Sequence, residues 1–177
     1  MARVTYVTDP AHTAVHFSVR HMMVSNVRGE FRKVSGTVAF DAEDPANSSI
    51  EATIEAASIN TREPDRDTHL KSADFLDVEK FPLISFRSKT IGTHKGGGSI
   101  TGDLTIRGVT REVTLDVEDL TPEIKDPWGK QRMGATATAK LNRKDFGLVW
   151  NSALETGGVL VGDEVKINID IEVVRTE

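Results

Sequence analysis

The chain has no cysteine in 177 residues, which excludes disulfides, thiolate zinc sites and a cysteine nucleophile at once. It has no excess of basic charge either. Lys plus Arg total 22 against 27 for Asp plus Glu, a net charge of −5, so the clustered cations that nucleic acid requires are not expected. No apolar run approaches the roughly 18 residues that span a bilayer. Residues 1–10 lack the apolar core of a secretory leader, and a soluble cytoplasmic protein is the expectation. Catalytic signatures are missing as well. There is no Gly-x-Ser-x-Gly, and the glycines at 96–98 are not followed by Lys-Ser/Thr as a P-loop demands. Nothing nominates a catalytic group.

What is present is enough for a core. Apolar residues make up 38% of the chain, too many for a disordered polymer, and the length suits a single domain over 1–177. The dominant pattern is alternation. Val165, Ile167, Ile169, Ile171 and Val173 are interleaved with polar residues, as are Val109, Val113, Leu115 and Val117. So are Ile100, Leu104 and Ile106, and Ile50, Ala52, Ile54 and Ala56. Period two marks strands with one dry and one wet face. Val15-Phe17-Val19, Ile84-Phe86 and Met133 to Leu141 show it more weakly.

Between Val27 and Asp41 the apolar positions switch from odd (Val27, Phe31) to even (Val34, Val38, Phe40). A strand changes face only through an extra residue, so a bulge or bend is expected near Lys33-Val34. Turn signals stand at Asp44 to Asn47, Lys95 to Gly98, Arg107-Gly108 and Asp126 to Gly129. One helix is expected from about Glu63 to Phe75, capped by Asn60 or Thr61, with Pro64 in its first turn and Asp67 paired to Lys71. A short helical turn is expected over Met22 to Asn26. About eight strands with short turns and one helix indicate an all-β protein, an antiparallel barrel or a sandwich; long strands, a bulge and few prolines inside them favour the barrel, in which closure removes unpaired edges.

A barrel of eight strands is either filled by its side chains or just wide enough for one small ligand. Small residues on dry faces (Ala52, Ala56, Gly102, Ala135, Ala137, Ala139) would leave room, whereas interdigitating Phe17, Phe31, Phe40, Phe86, Phe146 and Trp150 would take it up. The residues alone leave both outcomes open. His12 and His16 have HxxxH spacing, but on an extended chain the rings stand about 13 Å apart and cannot share a zinc ion; no metal site is expected. Arg66 to Ser72 is the densest polar group, either a head-group site over a barrel mouth or the wet face of a helix packed through Leu70 and Phe75.

Several stretches, in order, carry a resemblance. Asp9-Pro10-Ala11-His12-Thr13, Val15 to His21, Val27-Arg28-Gly29-Glu30-Phe31 and Gly36-Thr37-Val38 resemble the opening of the YceI family. Ser58 to Thr61, Arg66 to Phe75 and Phe81 to Phe86 resemble its middle, and Gly102 to Thr110, Asn142 to Asn151 and Val161 to Val165 its later part. The resemblance implies an extended, eight-stranded, lipocalin-like antiparallel barrel whose apolar tunnel holds a long-chain amphiphile, usually a polyisoprenoid and sometimes a quinone or fatty amide. It implies a homodimer, as in many members, and relatives that are often periplasmic. Position 16 departs from the pattern in being histidine, which is expected to alter the mouth.

Combining both readings, the expected function is non-enzymatic binding, transport or storage of such a lipid, with no cofactor beyond it. Phe17, Val19, Phe31, Val38, Phe40, Ile54, Phe86, Leu104, Ile106, Phe146 and Trp150 are expected to line the tunnel, and His21, Arg66 and His69 to form its polar end. Two rivals are an enzyme acting on a lipidic substrate in the same pocket and a solid-core interaction module. The first requires a titratable group of displaced pKa deep inside, the second an interior without a cavity and a sizeable exposed apolar patch.

Overall fold

Strands bury one face and wet the other, so a sheet of them must curl until the dry faces meet. In a computed structural model describing residues 3–94, 97–155 and 157–176, this happens by complete closure. The strands are β1 (Val4–Thr8), β2 (Ala14–His21), β3 (Ser25–Phe31), β4 (Val34–Phe40), β5 (Ser49–Glu55) and β6 (Ile59–Asn60), then β7 (Leu83–His94), β8 (Gly97–Ile106), β9 (Val109–Glu118), β10 (Ile124–Lys125), β11 (Gln131–Asn142) and β12 (Val161–Arg175). One α-helix, α1, covers Pro64–Lys71.

The first six segments make three broken staves. β1 pairs β4 while β2 pairs β3, and β4 pairs β5 while β3 pairs β6, all antiparallel. The circuit therefore runs β1/β2, β3/β4, β5/β6, β7, β8, β9, β11, β12, and β12 returns to β1 and β2. This is a closed antiparallel barrel of eight staves with one short helix. The break between β3 and β4 falls at Arg32-Lys33, where the face of the apolar residues switches. Ser58 holds it: its carbonyl accepts the Arg32 amide at 3.3 Å and its hydroxyl the Lys33 amide at 3.1 Å.

Several local expectations need correction. The helix ends at Lys71, short of Phe75, and its N-cap is Glu63 with no side-chain cap. Asp67 does not pair with Lys71; its Oδ1 accepts from the amide (2.9 Å) and hydroxyl (2.5 Å) of Thr61, which fixes the loop entering the helix. Met22 to Asn26 is not helical. Met22, Met23 and Val24 form the tip of the β2–β3 hairpin, with Met22 and Met23 at φ 50° and 60°, and Ser25-Asn26 begin β3. β1 was not anticipated. Arg107-Gly108 forms the expected tight hairpin, both residues left-handed at φ 51° and 73°. Of the turn expected at 95–98, Lys95 and Gly96 lie outside the described residues, and Gly97 and Gly98 begin β8.

The two ends of the barrel differ. At the lower end Tyr6, Met133 and Val173 form a buried cluster with Val4, Val38, Phe40 and Ile171 packed against it. At the upper end, Val15, Phe31, Ala56, Ile59, Leu76 and Ile84 form the larger cluster where the broken staves bend beneath residues 70–78. Among the described residues no helix is long and apolar enough to cross a membrane.

Candidate functional site

Between those clusters the barrel is not filled. An elongated cavity of about 610 Å³ follows its axis, within the roughly 300–1,000 Å³ of pockets that hold small molecules. The inward side chains show the same thing: Phe17, Val19, Ile54, Phe86, Leu104, Ile106, Val165, Ile167 and Ile169 face the interior yet are only partly buried. Small residues divide between the two outcomes considered above. Ala52 and Ala139 border open space, whereas Ala137 has no exposed surface and Ala56 is packed into the upper cluster. Gly102 is taken up by a ring, since a Cβ there would lie 2.7 Å from Phe86 Cζ; at Gly29 it would lie 2.5 Å from Phe17 Cζ. Two glycines thus let two phenyl rings lie flat on the wall and keep them out of the lumen.

Every residue expected at the tunnel borders this cavity except Phe40. Phe40 does point inward, but at the height of the sealed lower end, where it packs with the Tyr6 cluster. His21, Arg66 and His69 all lie at the upper end. His69 meets the Trp150 ring edge-on at 4.6 Å and the Phe75 ring at 5.1 Å, and its Nε2 lies 2.9 Å from Asp74 Oδ2. Arg66 donates from Nε to Thr61 Oγ1 at 2.8 Å and from Nη2 to the Thr61 carbonyl at 2.7 Å. His16 stands on the outer face between Glu30 and Asp170, each at 3.9 Å, away from the mouth.

Reading the sequence missed the residue that builds the mouth. Arg143, 5% exposed, follows β11 and donates to the carbonyls of Gly162 (2.8 Å), Leu148 (2.6 Å), Trp150 (2.9 Å) and Val161 (3.3 Å). It gathers residues 148–155 and 157–162 over the upper end and so places Leu148, Trp150 and Leu160 beside the cavity. Burial pushes its pKa down. Ile59, Leu70, Phe75 and Leu76 also border the cavity without having been anticipated there, because the chain that folds over a barrel end carries no period-two signal.

The displaced pKa values otherwise lie outside the cavity. Tyr6 is pushed up to about 12 by burial and by its hydrogen bond to Glu123. Asp9 is held at about 2 by hydrogen bonds from His12 and Arg132. Asp9, His12 and Glu172 are close enough to hold a cation, but Arg132 Nη1 already lies 2.6 Å from Asp9 and 3.4 Å from Glu172. A guanidinium therefore occupies the place a metal would take.

An eight-stave barrel closed first strand to last around an apolar axial chamber defines the lipocalin-like class. Within it the chain belongs to the YceI family: the YceI-like domain model matches residues 6–173. A UPF0312 protein of Staphylococcus aureus is 41% identical over 165 residues, 93% of this chain and 94% of its own. The Campylobacter jejuni YceI protein superposes with a TM-score of 0.75 at 32% identity, covering 89% of this chain and 90% of that one. Burkholderia cenocepacia BcnA superposes at 0.81 with 24% identity, over 93% and 98%. A polyisoprenoid binding domain from Saccharophagus degradans superposes at 0.68 with 12% identity, over 98% and 99%. The last two likenesses speak for the fold alone.

Proposed function

We propose that this protein binds one long-chain amphiphile, a polyisoprenoid, isoprenoid quinone or similar lipid, as a non-enzymatic carrier or store. The chain lies in the axial cavity and the head group rests near His21, Arg66 and His69. The observation that carries this reading is the chamber of about 610 Å³ walled by aliphatic and phenyl side chains. A polyisoprenoid binding domain is built on the same fold, and the ligand class proposed here rests on that shared architecture together with the apolar lining. Each buried CH₂ contributes about 0.8 kcal/mol, so several isoprene units offset the cost of immobilising the lipid without any specific bond. Polar groups at one end then select orientation.

Binding is favoured over catalysis by where the titratable groups stand. Among the described residues with a displaced pKa only Arg143 borders the cavity, and its donors are committed to backbone carbonyls. The solid-core alternative requires an interior without the cavity described above. Extraction of the purified protein into organic solvent with mass spectrometry, followed by uptake of an added polyprenol, tests the carrier reading. A protein that yields no hydrophobe and takes up no polyprenol overturns it. Homodimerisation is part of the same proposal and is checked by sedimentation velocity.

A further inference from the structure

The chamber does not account for the apolar surface beside its mouth. The β2–β3 hairpin projects at the upper end and turns through Met22, Met23 and Val24, the last two 58% and 74% exposed. The turn closes by the Val24 amide donating to the His21 carbonyl at 3.1 Å. With φ of 50° and 60° at its central residues, it has the geometry that Asn-Gly serves at least cost. Two largely exposed methionines in left-handed backbone are strained, and little of their apolar surface is packed in return. The tip is continuous with the mouth. The Met22 amide donates to the Leu160 carbonyl at 2.8 Å, and Leu160 borders the cavity. Gly158 has no Cβ where the Met23 thioether lies, and the adjoining Val159 is exposed.

Charge supplies a second, independent observation. On the outer face next to this tip, Lys140, Lys166, Ser18 and Arg28 stand in one cross-strand row. Lys140 and Lys166 are direct partners, an unfavourable like-charge pair. None of the three cations has an ion-pair partner among the described residues. Arg20 is nearer the tip, its Nη2 donating to the Met23 carbonyl at 3.2 Å. Glu164 is interspersed, but the same face turns acidic farther from the tip, at Glu30, Asp170 and Glu172. In a chain of net charge −5, unpaired cations are gathered behind the apolar lip.

We propose that this upper end docks on an anionic bilayer surface, the Met22-Met23-Val24 tip entering the outer acyl region and the basic row facing the phosphates. Four residues separate Val24 from Arg28, about 13 Å of strand. A tip immersed by the roughly 5–10 Å typical of interfacial elements leaves that row within about one Debye length of the head groups. Ligand then passes between leaflet and chamber without crossing water, so the inference rests on the carrier reading. The other exposed apolar group, Leu120, Ile124 and Trp128, lies by the sealed lower end, where Lys125 and Lys130 alternate with Glu118, Asp119, Glu123 and Asp126, so no row of like-signed cations stands behind it.

Flotation of the full chain with phosphatidylcholine/phosphatidylglycerol vesicles, against phosphatidylcholine alone, tests the docking. Wild type is expected to float with the anionic vesicles and to be released by salt. Met22→Asn combined with Met23→Gly suits the turn better than the native pair, so its fold is protected, and it is expected to weaken vesicle binding roughly tenfold or more. Lys140→Gln with Lys166→Gln removes the preference for phosphatidylglycerol, and Trp128→Ser changes neither. Docking is overturned if wild type fails to float, if the Asn-Gly variant floats as wild type does, or if Trp128→Ser alone abolishes binding. A polyprenol supplied from ethanol and from vesicles separates the two claims. The Asn-Gly variant is expected to load normally from ethanol and slowly from vesicles. Wild type that floats but loads from neither donor refutes the carrier reading and leaves docking standing; loading from ethanol without flotation refutes docking alone.

Discussion

The two ends of the barrel solve opposite problems with the same alternating strands. At the lower end Tyr6, Met133, Val173 and Phe40 meet across the axis and seal it. The outer shell there is tied by Arg132, which bonds Asp9 and Asp126 at 2.6 Å each. At the upper end the staves are broken, the phenyl rings of Phe17 and Phe86 lie back on glycines, and the cover is irregular chain gathered by Arg143. A period-two pattern specifies which face a residue takes; residue size at each height decides whether the faces touch. Bulk at the floor gives stability, and its omission higher up gives room.

The largest effect expected from breaking this contrast is on uptake. Ala139→Trp projects an indole into the lumen and is expected to abolish loading of a long polyprenol while the far-ultraviolet circular dichroism stays unchanged; undiminished loading refutes a ligand on the axis. Phe86→Arg places a charge in the same lumen and is expected to stop uptake as well.

Stability separates the ends next. Met133→Ala in the sealed floor should cost about 3 kcal/mol in urea unfolding. Ile169→Ala, on a wall that already faces empty space, loses fewer neighbours and should cost about 1–2 kcal/mol. Equal costs would mean that the chamber collapses in solution. Arg143→Met strips the donors from three or more carbonyls and should cost about 3 kcal/mol, with faster proteolysis within residues 148–160 than elsewhere. Tyr6→Phe, which removes one hydrogen bond to Glu123, should cost about 1 kcal/mol and leave uptake intact.

Smallest is the pH response of the lower shell. Asp9 is held at about 2, below its ordinary 3.8, by His12 and Arg132, so its contribution is present above about pH 4 and is lost as pH falls from there to 2. His12 is raised by Asp9, so its contribution is full in acid and fades as pH rises through its elevated pKa. Denaturation midpoints across pH 2–8 should therefore drop at the acid end, and Asp9→Asn should flatten that drop.

Most of the barrel was legible because alternation is a local signal that closure does not overwrite. Even the break at Arg32-Lys33 was visible, as a switch from odd to even apolar positions. β1 escaped because Val7, 42% exposed, and Tyr6 sit side by side, which hides the period in five residues. Phe40 was assigned the correct face but not its height along the axis, a quantity set by stave pairing across the whole circuit. The mouth was least legible: Arg143 looks like any cation near a turn, and its role exists only once Leu148, Trp150, Val161 and Gly162 have been brought back over it. Met22 and Met23 are poor residues for a tight turn, so the local sequence pointed away from the hairpin that strand pairing imposes.

Arg143 grips the covering segment by its main-chain oxygens, and its side-chain partner Asp163, 3.7 Å away, lies beyond that segment. The route of the covering segment is thereby uncoupled from the identity of the residues it carries. Exposed positions such as Val149, Ser152 and Ala153 can be exchanged while the path over the opening is kept, which makes that segment the natural place to retune which molecules the barrel admits.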